Sequence, residues 1–274
     1  MFILLMFATL GLPILITFYI LWQMDRLPKN RPANVQKQEN KQVVVLAGDS
    51  ITHGQIGENY VSILTEELGS DYQVVNAGVN SHLAWNLLER LDEIIKCEPN
   101  FITILIGTND ANAGTSKDEA QYYKKAMKLP RTPDRDWFRN ILDSIIDRLL
   151  QETTARIAIL SIPPIGEVPE HHAFRVSKDY AGIIKEVAMK RGVTYLPLQE
   201  EMIEFLLKHP GHPRHSFEKL KRELIRSVFM RYILRRTWNR IGDNAGFQLH
   251  IDYLHLNTLG AQMVVDLIMS FVRG

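Results

Sequence analysis

Val43-Val44-Val45-Leu46-Ala47-Gly48-Asp49-Ser50-Ile51-Thr52 (residues 43–52) is the stretch whose reading decides the fold. Its first five residues are apolar and rich in β-branched side chains, without alternation. That is the pattern of a short strand buried on both faces. The run ends in Gly-Asp-Ser, a strand-to-helix turn that places a serine hydroxyl at the edge of a sheet. Similar runs recur at Gln73–Asn76, Phe101–Ile106, Arg156–Ser161 and Val193–Leu196, the fourth stopped by Pro163-Pro164. Helical spacing lies between and after them: Tyr60–Leu68, Leu83–Ile95, Trp137–Leu150, Ser177–Arg191 and Met263–Val272. Strands alternating with helices predict an α/β domain with a five-stranded, mostly parallel sheet covered on both faces. Ligands of such sheets bind beyond the carboxyl ends of the strands. Ser50, Gly78 and Asn109 each follow a strand, so three loops distant in sequence converge on one edge. Two stretches interrupt the alternation: 111–136, polar and Pro-containing, and about 201–249, long and basic.

The residues at that edge carry the parts of acyl transfer. Ser50 is a candidate nucleophile, which needs a base to activate it. A bare Gly-Asp-Ser reads more readily as a helix N-cap, and it is not the G-x-S-x-G elbow of the α/β-hydrolases. His255 is the candidate base and Asp252, in Asp252-Tyr253-Leu254-His255, its orienter. At i and i+3 the carboxylate can accept from Nδ1–H and leave Nε2 for the serine. His250 is a rival base on the same segment. For the oxyanion, Asn109 offers a side-chain amide, Gly78 a backbone N–H, and Ser50 its own N–H. Each has a plain alternative as a turn residue; what is specific is all four sites at strand ends in order.

In that order the chain resembles the SGNH/GDSL hydrolase family. The resemblance rests on Gly48-Asp49-Ser50, Gly78 within Asn76-Ala77-Gly78-Val79-Asn80-Ser81, Gly107-Thr108-Asn109-Asp110 and Asp252-Tyr253-Leu254-His255, and covers residues 43–272. It implies a flavodoxin-like three-layer α/β/α sandwich. It also implies catalytic Ser50, Asp252 and His255, an oxyanion hole of Ser50, Gly78 and Asn109, and ester hydrolysis without a metal or organic cofactor. Asp49 and Asp110 are expected to brace their loops. A lysophospholipid-like or O-acyl ester is the expected substrate. Acyl transfer to another acceptor, deacetylation of a glycan, and a non-catalytic membrane-tethered binding protein are the alternatives.

Composition fits a folded domain: 274 residues, 46% hydrophobic, 23% charged, formal net charge +1, which gives nucleic-acid binding no electrostatic support. The single cysteine, Cys97, excludes an internal disulfide and reads as a packing residue. Phe2–Trp22, FILLMFATLGLPILITFYILW, has no charged residue and is long enough to span a bilayer. It is preferred as an uncleaved transmembrane anchor (residues 1–22) over a signal peptide, since no basic residue precedes it and no small-residue cleavage site follows. Residues 23–41 then form a polar linker, and 42–274 the hydrolase domain. Arg26, Lys29, Arg31, Lys37 and Lys41 follow the span, which places the domain in the cytoplasm; an exported domain is the alternative. Within the insertion, residues 217–236 have the spacing of a basic amphipathic helix. It could meet anionic lipid, pack on the domain with its basic face in water, or form a lid over the site. His209, His212 and His215 raise a metal reading, but Pro210 and Pro213 break the helix that would align them.

Overall fold

The computed structural model describes the backbone of residues 2–274 and the side chains of residues 12–274. In chain order the elements are α1 (Phe2–Met24), β1 (Gln42–Gly48), α2 (Ser50–His53), α3 (Tyr60–Leu68), β2 (Tyr72–Gly78), α4 (Ala84–Leu88), α5 (Leu91–Ile95) and β3 (Phe101–Leu105). There follow α6 (Thr108–Ala113), α7 (Lys117–Ala126), α8 (Arg135–Glu152), β4 (Arg156–Leu160), α9 (His172–Arg191), β5 (Thr194–Leu196) and α10 (Leu198–Lys208). Last come α11 (Leu220–Tyr232), α12 (Trp238–Ala245) and α13 (Thr258–Arg273).

The strands form one sheet in the order β2-β1-β3-β4-β5, and every pair is parallel. Alternation along β1 divides the core. Val43, Val45 and Ala47 face the layer of α4, α5, α8 and α9, with Leu87, Leu91, Ile145 and Ile184. Val44 and Leu46 face α3, α10 and α13, with Leu64, Met202 and Val265. Because both faces are covered, every residue from Val43 to Gly48 is buried, which is why the strand reads as a continuous apolar run. The chain steps from β1 to β2 on one side and to β3 on the other. The crevice beyond β1 and β3 is thus the switch point where such sheets take ligands.

The helix expected over Leu83–Ile95 is two short helices, broken where Arg90 leaves helical geometry (φ −119°). The break turns its guanidinium inward, where it donates to the carbonyls of Gly48 (3.0 Å) and Ala77 (2.8 Å). Those carbonyls end β1 and β2, so Arg90 fixes the spacing of the two loops that follow.

The expected anchor over residues 2–22 falls partly on residues 2–11, whose side chains lie outside the described residues. Among the described residues, no helix is long and apolar enough to cross a membrane. The polar stretch 23–41 does more than connect. It lies along β2, the sheet's edge strand, whose backbone groups would otherwise lack partners. Asn76 N–H donates to Asn30 O (2.9 Å), Asn30 Nδ2 to Val74 O (3.0 Å) and Gln73 Nε2 to Gln36 O (2.8 Å). Asn80 Nδ2 donates to Met24 O (2.8 Å), so the end of α1 is fastened to the loop after β2.

Candidate active site

β1 delivers Ser50 through a tight turn. A Cβ on Gly48 would lie 2.1 Å from Thr52 Oγ1 and 2.6 Å from Leu105 O, so only glycine lets the strand end pass β3 and α2. Asp49, not Ser50, is the N-cap of α2: its Oδ1 accepts the Ile51 N–H at 3.0 Å. That leaves the Ser50 hydroxyl free to face outward. It lies 2.9 Å from His255 Nε2, across 205 residues of sequence. His255 Nδ1 lies 2.9 Å from Asp252 Oδ2. The other oxygen of Asp252 accepts the N–H groups of Leu254 (2.7 Å) and His255 (2.8 Å), which makes the Asp-x-x-His segment a closed turn rather than a helix.

Asp252 and His255 are almost wholly buried. Burial alone would raise the Asp252 carboxyl. The charge and hydrogen bond of His255 and the two N–H groups outweigh it and hold the carboxyl below its ordinary range. Burial likewise disfavours the charged ring of His255, yet the charge and hydrogen bond of Asp252, helped by Asp49, lift it above its ordinary value. Asp49 is fully buried with Oδ2 unpartnered among the described residues, and burial pushes it up to about 6. Asp110 braces its loop, accepting the Ala84 N–H at 3.1 Å, and burial lifts it to about 7.

Gly78 does not fit its expected role. Its N–H donates to Asn76 Oδ1 at 2.9 Å, and a Cβ there would meet His53 N at 2.2 Å. The glycine is needed for close packing of β2 on α2, and its donor is already used. The residues of this loop beside Ser50, Asn109 and His255 in the pocket are Asn80, whose Nδ2 is spent on Met24 O, and Ser81. Ser81 has φ +61°, a left-handed conformation uncommon outside glycine, which turns the backbone at the rim of the pocket. The only sequence signal was its place in Asn-Ala-Gly-Val-Asn-Ser, three residues beyond the glycine that drew attention.

Asn109 is held by its neighbours. Tyr123 Oη donates to its Oδ1 (2.9 Å) and its Nδ2 donates to His82 O (3.0 Å), so one Nδ2 hydrogen is left for the pocket. Asn112 Nδ2 donates in turn to Tyr123 Oη (3.1 Å). Tyr123 belongs to α7, in a segment that looked like an interruption of the alternating pattern. His250, the rival base, is turned away: its Nδ1 pairs at 2.9 Å with buried Glu167, which also accepts the N–H groups of Gln248, Leu249 and His250. Its acid partner, Glu167, thus ties the 248–250 backbone in place ahead of Asp252.

The pocket over Ser50 and His255 has a volume of about 180 Å³. Met24 and Asp25, at the end of α1, form part of its wall, and Leu220, Lys221 and Leu224 of α11 close another side. The insertion therefore packs over the site. A larger surface cleft of about 840 Å³, lined by α6 to α9, holds none of the catalytic candidates. Its arginines are spent on ion pairs, Arg135 with Asp179 and Arg139 with Glu186. Among the described residues, no group of three or more His, Cys, Asp or Glu side chains is placed to hold a metal ion. His209, for one, has its Nδ1 3.3 Å from Phe205 O.

Residues 46–263 match the GDSL-like Lipase/Acylhydrolase family. The chain belongs to that family. Solved structures agree on the fold at low identity. An acetyl xylan esterase, AlAXEase, matches with TM-score 0.59 and 18% identity over 84% of this chain and 99% of its own. A catalytic mutant of an acetylxylan esterase from Geobacillus stearothermophilus gives TM-score 0.59 and 15% identity over 86% and 95%. A lipase/acylhydrolase from Enterococcus faecalis gives 0.55 and 18% over 85% and 96%. No curated protein sequence matches the chain. As a family member with this sheet and these motif blocks, the chain is a GDSL-type ester hydrolase.

Proposed function

We propose that the protein hydrolyses a short O-acyl ester through Ser50, His255 and Asp252. The observation that carries this reading is the unbroken relay, 2.9 Å from Ser50 Oγ to His255 Nε2 and 2.9 Å from His255 Nδ1 to Asp252. As Ser50 Oγ bonds to the carbonyl carbon, His255 Nε2 takes its proton, and the imidazolium is stabilised by Asp252. The oxyanion is met by the Ser50 N–H, the free Nδ2 hydrogen of Asn109 and the Ser81 N–H in place of Gly78. The C–O bond breaks and the alcohol leaves with the proton held by His255. Water then attacks the acyl-enzyme, giving its proton to His255. Collapse releases the acid and returns the proton to Ser50. A pocket of about 180 Å³ favours a short acyl group, as do the acetylxylan esterases among the structural neighbours. Replacing Ser50 by Ala should lower hydrolysis of p-nitrophenyl acetate by several powers of ten; an unchanged rate would refute the nucleophile.

We also propose that the domain sits against a bilayer, through α1 and α11. The described half of α1 leaves Leu15, Phe18 and Trp22 more than half exposed. Ile20 and Met24 pack beside Leu224 and Val228 of α11, whose outer face exposes Ile225 and Phe229 between Arg222 and Arg235. Apolar residues among cations suit an anionic interface. This arrangement supports a second substrate reading, a neutral O-acyl ester entering from the membrane. The cations after α1 favour the cytoplasmic side, which protease protection in intact cells would test.

A further inference from the structure

We propose that the cavity next to the active-site pocket is a second substrate subsite, one that takes the neutral, hydroxyl-bearing ring of the alcohol from which the acyl group is removed. This rests on the ester-hydrolase reading of Ser50.

Two cavities meet beneath the insertion. The smaller holds Ser50 and His255; the larger, about 420 Å³, is lined by His171, His172 and Phe217. They share Asn112, Glu119, Leu220 and Lys221, so a ligand with its ester at Ser50 has a continuous path into the larger space. The ion pair Lys221–Glu119 (2.9 Å) stands at the junction, with the ammonium 4.5 Å from the centre of the Tyr122 ring.

The chemistry of the walls selects the occupant. Asn112 is 3% exposed; its Nδ2 is committed to Tyr123 Oη, while its Oδ1 is buried without a partner among the described residues. An orphaned buried acceptor is costly, and a small turn of the Asn112 side chain toward the junction would let a hydroxyl donor on the substrate satisfy it. Phe217 supplies an apolar ring in a fixed pose. It meets Tyr253 edge-on (centroids 5.5 Å, 86°) and lies 5.2 Å from His171. An apolar ring beside a few convergent polar groups suits a molecule with a C–H face and an equatorial rim of hydroxyls. Charge argues against a phosphate-bearing alcohol. Lys221 is already paired with Glu119, and the cavity adds the carboxylate of Glu218, which would repel an anion. Phe217, Leu220 and Lys221 all come from the 201–249 insertion. The segment that broke the sequence pattern is thus the one that would set specificity.

The test uses the full chain in detergent. With Ser50→Ala to remove chemistry, calorimetric titration with xylobiose, a neutral disaccharide, should show saturable binding. Adding Phe217→Ala should weaken it about tenfold, the worth of a good aromatic contact. His172→Ala, at an exposed position that does not endanger folding, should weaken it in the same direction. In the catalytic background, Phe217→Ala should lower the ratio of kcat/KM for acetylated xylobiose to that for p-nitrophenyl acetate by about tenfold. Absence of saturable binding, or equal affinity and an equal ratio in the variants, would overturn the subsite. Failure of the nucleophile reading would register separately, as hydrolysis of p-nitrophenyl acetate that survives Ser50→Ala.

Discussion

Replacing Tyr123 by Phe removes one oxygen and leaves the ring packing intact. The structure assigns that oxygen two bonds: it donates to Asn109 Oδ1 at 2.9 Å and accepts from Asn112 Nδ2 at 3.1 Å. Without it, Asn109 keeps only its bond to His82 O, and the amide is free to swing away from the oxyanion position. Loss of a whole oxyanion donor, as in Asn109→Ala, costs about 10²–10³ in kcat. Loss of the bond that aims the donor should cost roughly one hydrogen bond, about 1 kcal/mol, hence about five- to tenfold in kcat. KM should stay nearly unchanged, because the ground-state carbonyl gains less from the donor than the oxyanion does. Two buried groups would also be orphaned, at about 1–3 kcal/mol each in stability, which chemical denaturation would read. The decisive assay is the cycle of Tyr123→Phe, Asn109→Ala and the double variant with p-nitrophenyl acetate. The aiming argument requires that Tyr123→Phe cost nothing further once Asn109 is Ala. An equal loss in both backgrounds, or no loss in either, would refute it.

Other predictions follow from the same geometry. Because Asp252 lifts His255 above its ordinary value and the base must be neutral, kcat/KM should rise through an acid limb centred above pH 6.5; Asp252→Asn should move that limb downward and cost about three to four powers of ten in kcat. Asp49 has its folded-state pKa raised from 3.8 to about 6, so the native state binds the extra proton and loses stability as pH rises through that window. The unfolding free energy of Asp49→Asn relative to the parent should therefore improve by about 1–2 kcal/mol between pH 5 and pH 8, and a pH-independent difference would contradict the burial argument. A fluorophore on Ile225→Cys in proteoliposomes should be shielded from aqueous iodide by phosphatidylglycerol bilayers more than by phosphatidylcholine; equal quenching would remove the α11 interface.

Much of the fold was readable because strands buried on both faces write themselves as apolar runs. The five expected strands match the observed ones to within two residues at each end. The contact between Asp252 and His255 was readable because they lie three residues apart, where a turn alone can join them. What escaped depended on tertiary contacts that leave no local trace. Arg90 sits within a helical pattern, and its break is dictated by the carbonyls of Gly48 and Ala77, far away in sequence. Gly78 looked like a donor because it is a glycine at a strand end. Its true constraint is the approach of the 52–53 backbone, and Asn76 takes its N–H. Tyr123, aiming Asn109 from a segment that seemed an interruption, had no motif to mark it. The linker looked free because polar sequence lacks periodicity, whereas its polarity serves the unpaired edge of β2.

Labelling the full-length protein with a fluorophosphonate and mapping the adduct by peptide mass spectrometry tests the hydroxyl–imidazole–carboxylate relay most directly. The account predicts one adduct, on Ser50, absent in Ser50→Ala and formed far more slowly in His255→Ala. An adduct on another residue, or none on a folded protein, would contradict it.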